Sequence, residues 1–120
     1  MSPVVEPASS VLLVVGREQY TPPSTFGGDT CAATHDCVAI AVVDMRDSPT
    51  AVNLSPSPDT RGLVAVGAFP LESEGLVSLR DVYGREYDAM GAEPGMVQVV
   101  VWANRADRPD RLEVQVIEGA

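Results

Sequence analysis

The sequence predicts an all-β fold, a single-domain antiparallel β-sandwich of about seven or eight short strands. Three observations carry that prediction. Hydrophobic residues make up 45% of the chain but aromatics only 5%, so Val, Leu, Ile and Ala must fill the core, and β-branched side chains suit pleated strands. Short apolar or alternating runs recur between clusters of Gly, Pro, Asp and Ser, which is the punctuation of a sandwich. The clearest pair, Met96 to Ala103 and Leu112 to Ile117, is joined through the turn-rich stretch Asn104 to Arg111 and reads as one long hairpin from Gly95 to Gly119.

In chain order, residues 1–9 carry prolines and serines without periodicity and read as a flexible N-terminal arm lying along a sheet edge, with the sandwich domain over 10–120. Val11 to Val15 is a continuous apolar run, the pattern of a strand buried on both faces. From Gly16 to Asp36 no period holds, and a loop of this length in a compact domain is more often functional than a mere connection. Tyr20 and Phe26 are its natural anchors. Cys37 to Val43 reads as a central strand, Ala51 to Leu54 as a shorter one, and Leu63 to Phe69 as another that Pro70 is expected to stop, since proline offers no ladder N–H. Gly75 to Leu79 alternates weakly. Asp81 to Met90 reads as a strand in preference to a short helix, and Gly91 to Gly95 is a turn leading into the hairpin.

A chain of 120 residues supports one core, burying roughly two-thirds of its extended surface. The formal charge of −9 arises from 17 acidic residues against 8 basic ones, all Arg. Such a field repels nucleic acid and anionic lipid and favours a basic protein partner, although it also serves solubility alone. The N-terminus lacks a basic region and a long apolar stretch, and no segment approaches the ~20 apolar residues of a membrane span. The expected location is therefore cytoplasmic, the alternative being a mature domain whose targeting segment has been removed.

No stretch has the spacing of a catalytic or cofactor motif, so neither an enzymatic activity nor a cofactor is expected. Cys31, His35 and Cys37 form the one cluster that invites a metal-dependent reading, but structural zinc needs four ligands and no second Cys pair exists. The same cysteines allow either a disulfide, worth about 2 to 2.5 kcal/mol for so short a loop, or two free thiols. Cys37 and His35, two apart on a strand, sit about 6.5 to 7 Å apart, too far for a nucleophile and its base. The carboxylate pairs Asp44/Asp47, Glu72/Glu74 and Glu86/Asp88 lack calcium-loop spacing and read as solvated strand ends. Arg105, Arg108 and Arg111 are interleaved with Asp107 and Asp110, which cancels much of their field.

Strand alternation divides the hairpin into a core face, Val97, Val99, Val101, Ala103, Leu112, Val114 and Val116, and a mixed outer face with Gln98, Trp102, Glu113 and Gln115. A part-exposed Trp beside amide and carboxylate groups is a candidate partner contact, the alternative being that a loop or the N-terminal arm covers Trp102, and Tyr83 is a second aromatic candidate. The runs Pro94 to Asn104 and Arg108 to Ile117 resemble the C-terminal hairpin of a group of small bacterial β-sandwich proteins similar to the competence protein that inhibits a DNA-entry nuclease. That resemblance covers about the last third of the chain. It implies a sandwich with an inhibitory or accessory role, and an acidic surface suits a basic nuclease partner. Two other functions remain open from the residues: a homo-oligomeric assembly module pairing through sheet edges, and a metal-dependent domain using Cys31, His35 and Cys37.

Overall fold

The apolar runs and their turn punctuation become ten strands in a computed structural model that describes residues 4–26 and 28–118. They are β1 (Val4–Val5), β2 (Val11–Val15), β3 (Cys31–Ala33), β4 (Cys37–Ala41), β5 (Thr50–Ser55), β6 (Val64–Ser73), β7 (Leu76–Arg80), β8 (Glu86–Gly91), β9 (Gly95–Ala103) and β10 (Arg111–Ile117). Residues 1–3 of the expected arm, Gly27 of the long loop, and Gly119 and Ala120 at the end of the hairpin lie outside the described residues.

Two five-stranded sheets pack face to face, one in the order β1-β5-β10-β9-β6 and the other β3-β4-β2-β7-β8. Every pairing is antiparallel except β5 with β10, where Arg111 to Gln115 run beside Ala51 to Ser55. The all-β sandwich predicted from the sequence is present. The count rises to ten because β1 and β3, two and three residues long, are too short to show a period. Val4 and Val5 pair with Ala51 and Thr50 at the sheet edge.

Alternation sends Leu12, Val14, Val38 and Ile40 inward from one sheet to meet Leu71, Val99, Leu112 and Val114 from the other. The opposite faces of the same two strands carry Leu13, Val15, Cys37 and Ala39, and these are buried too, because Tyr20 and Phe26 pack over them. The long loop is thus a third layer. That explains the continuous apolar runs: β2 and β4 have no solvent face to make polar.

Pro70 does not stop its strand, contrary to expectation, since β6 continues to Ser73. On the side of β6 away from β9, Glu72 N–H donates to His35 O (2.7 Å) and Glu74 N–H to Gly16 O (2.8 Å). Two residues before Glu72, the Pro70 nitrogen faces the same way, so its missing hydrogen costs no bond to β9. Strand begins only at Glu86 in the Asp81 to Met90 stretch and runs on to Gly91, the first residue of the expected turn; Asp81 shapes the preceding turn by accepting from Tyr83 N–H (2.9 Å), Arg85 N–H (3.0 Å) and the Tyr87 hydroxyl (3.1 Å).

Candidate partner-binding face

The outer face of the β6–β9–β10 sheet is built in cross-strand rows. Pro70, Gln98 and Ile117 form one row, Ala68, Val100 and Gln115 the next, and Ala65, Trp102 and Glu113 a third. Each outward residue is fixed by the inward burial of its neighbours: Val97, Val99, Val101 and Ala103 are all core. Trp102 is half-buried, and its indole N–H donates to Gln115 Oε1 at 3.1 Å. The Gln115 amide in turn donates to Pro56 O at 3.4 Å. The ring is therefore held in one orientation with its polar hydrogen satisfied, a state that loses little entropy on contact.

Of the sequence-derived candidates, Gln98, Trp102 and Gln115 lie together on this face, half-buried. Glu113 occupies the same face but is only 4% exposed, because β5 runs along its far side and the segment following β5 folds across it. Periodicity assigns a residue to a face and does not reveal what covers that face. Tyr83 is 83% exposed but sits in the β7–β8 turn of the other sheet, beside Val82, which lines the Tyr20–Phe26 cleft on the opposite side of the sandwich. It is not brought to the Trp102 face. Sequence reasoning missed Ala65, Ala68 and Pro70, since nothing in the chain marks β6 as the neighbour of β9. Met96, already on the outer set by alternation, is 53% exposed at the end of the face.

The two cysteines are free thiols. Cys31 pairs with Ile40 and joins the sandwich core, while Cys37, three residues along β4, points into the outer cluster with Leu13 and Val15. They lie on opposite faces of one hairpin, which rules out a disulfide between them in this fold. Burial pushes the Cys31 thiol up to about 11 and Cys37 to about 12, with Asp29 and Asp36 adding to the respective shifts. Such thiols are not nucleophiles at neutral pH. The metal-dependent reading fails on the same geometry: among the described residues no three His, Cys, Asp or Glu side chains gather as a ligand set.

His35 and Asp36 have structural partners. Asp36, 1% exposed, accepts from Thr21 N–H (2.9 Å) and the Thr34 hydroxyl (3.2 Å), and its second oxygen lies 3.3 Å from His35 Nε2 and 3.9 Å from Arg17. Arg17 also pairs with Glu74 (3.1 Å) and Glu72 (3.5 Å), fastening the long loop to the β6–β7 turn. Elsewhere, exposed pairs link Asp44 with Arg46 and Asp59 with Arg61. Their side-chain hydrogen bonds hold both carboxyls down at about 2.

The fold is similar to that of ComJ. The crystal structure of ComJ, inhibitor of the DNA degrading activity of NucA, from Bacillus subtilis, superimposes with a TM-score of 0.72 over 98% of this chain and 95% of ComJ, at 12% sequence identity. The likeness to ComJ extends over the whole sandwich, beyond the C-terminal third to which the sequence resemblance was confined. At this identity ComJ establishes the shared architecture and no residue correspondence. No protein-family model matches the chain, and no curated protein matches it. Among the described residues no helix is long and apolar enough to cross a membrane.

Proposed function

We propose that this chain is a non-enzymatic, acidic protein-binding module of inhibitor or immunity type, which neutralises a basic nuclease or toxin by covering its positive substrate groove. The observation that carries the reading is the full-length likeness to a nuclease inhibitor. The charge of −9 supports it, because an acidic surface is drawn to the cationic groove with which a nuclease holds DNA. Trp102, Gln98 and Gln115 are the contact residues at the centre of the binding face, with the buried Glu113 beside Trp102 in the same row, while Tyr83, on the far side of the sandwich, lies outside that face. Two reduced, mutually inaccessible thiols suit a cytoplasmic setting.

Edge-to-edge assembly has less support, because each sheet edge carries a feature that discourages pairing. β1 and β3 are very short, and β6 has Pro70 and a bulge between Ala65 and Gly67. In β8, the Asp88 carboxylate accepts from the N–H of Ala89 (2.8 Å) at the outer edge.

Affinity recovery from the native host with the wild-type chain as bait tests the proposal. The expected result is a basic protein whose recovery falls with salt and whose DNA degradation stops when the chain is added back. Repeated recovery of no such protein, or a recovered nuclease left fully active, sinks it.

A further inference from the structure

Building on the protein-binding reading above, we propose that the partner docks on the outer face of β6, β9 and β10 in one orientation, an apolar patch over Trp102 and a cationic rim over the end carrying Glu72, Glu93 and Glu118. The two outer faces of the sandwich differ in what covers them. On the β2–β4 side, Tyr20 and Phe26 close over Leu13 and Val15. On the β6–β9 side, Ala65, Ala68, Pro70 and Met96 remain exposed. The middle rows of that face contain no charged side chain apart from the buried Glu113. A charge-depleted centre holding a Trp, with an exposed Met at its margin, is the composition of an interface core.

The two ends of the face differ in charge. Beyond Met96 and Ile117, Glu93 N–H donates to the Glu118 carboxylate (3.3 Å), and both side chains are exposed. Glu72 stands opposite Met96, and Arg17, the cation at this end, is already tied to Glu72 and Glu74. At the other end, beyond Trp102, the Asn104–Arg111 connection interleaves Arg105, Arg108 and Arg111 with Asp107 and Asp110, so that end carries little net charge. A cation-rimmed partner is attracted to the first end and finds no matching acidic field at the second, so the field favours one of the two ways of laying an apolar patch on the sheet.

The experiment uses the full chain in its native host. Benzoyl-phenylalanine placed at Ala68 or Gln98 is expected to cross-link to a protein of basic isoelectric point, and the same group at Pro22 or Tyr83, on the opposite side, to give no adduct. With the cross-linked protein purified as the probe, the pair Glu93→Arg and Glu118→Arg is expected to slow association about tenfold at low salt, whereas Arg105→Glu leaves it unchanged or faster. Melting curves matching the wild type establish that each variant is folded. Adducts only from Pro22 or Tyr83 overturn the docking face and leave the protein-binding reading standing. Adducts from Ala68 and Gln98 whose association is indifferent to both charge changes overturn the orientation. An adduct only with a second copy of this chain overturns the basic partner, and no adduct from any of the four positions overturns the protein-binding reading and this inference with it.

Discussion

At the scale of single residues, the long loop is held by a few close contacts. Gly16 N–H donates to Asp36 O (3.3 Å) and Gly16 O accepts from Glu74 N–H (2.8 Å), which brings the loop and the β6–β7 turn against each other. A Cβ at Gly16 would overlap the carbonyl oxygen of Glu72, a backbone atom that cannot rotate away. Gly16→Ala must therefore separate the loop from β6 and weaken the bonds of Glu72 and Glu74 together. The expected cost is about 2 to 3 kcal/mol, seen as a lower urea midpoint with an unchanged slope. Retention of wild-type stability would mean that β6 yields without loss.

Among the strands, the hairpin was the most legible part of the sequence, and the reason is physical. β9 and β10 alternate with period two, and one of their faces is fully covered by the opposite sheet, so Val97, Val99, Val101, Leu112, Val114 and Val116 declare themselves. The strand order was not legible, because the parallel pairing of β5 with β10 joins segments about half the chain apart, and nothing local encodes it. For the same reason alternation in the hairpin shows only two of the three strands of the candidate face, and gives the side of Glu113 but not its burial. Trp102→Ala tests the hairpin directly. With the ring half-buried and braced by Gln115, stability should fall by only about 1 to 2 kcal/mol, while affinity for the captured partner falls at least tenfold, as expected of a central aromatic contact. Unfolding of the variant, or undiminished affinity, would remove Trp102 from the interface. The β8 edge gives a second prediction. Asp88→Val removes the carboxylate from Ala89 N–H and leaves an uncapped edge, and light scattering should then show association that grows with concentration beyond that of the wild type.

For the molecule as a whole, two sets of shifted groups bound the pH range of full stability. Asp44 and Asp59 are held at about 2 in the folded chain, against an ordinary value of 3.8, chiefly by side-chain hydrogen bonds from Arg46 and Arg61. Because the folded value is the lower one, their contribution is present above about pH 4 and lost as pH falls toward 2; both pairs are exposed, so this acid limb is shallow. Cys31 and Cys37 act in the opposite sense, raised by burial from 9.0 to about 11 and about 12. The unfolded chain releases these protons first, so their contribution is complete below pH 9 and declines as pH rises through 11 to 12, with a slope of up to about 1.4 kcal/mol per pH unit for each differing proton. Tyr87, raised by burial and by Asp81, adds to the alkaline limb in the same direction. Urea midpoints should therefore be level from about pH 4 to 9, fall gently on the acid side and fall steeply on the alkaline side. The thiols are identified as the cause by the Cys31→Ala, Cys37→Ala double variant. It starts from a lower stability at pH 7, because two buried side chains are truncated, but its alkaline limb should flatten to the remainder set by Tyr87. An alkaline limb as steep as that of the wild type would show that the buried thiols do not govern it.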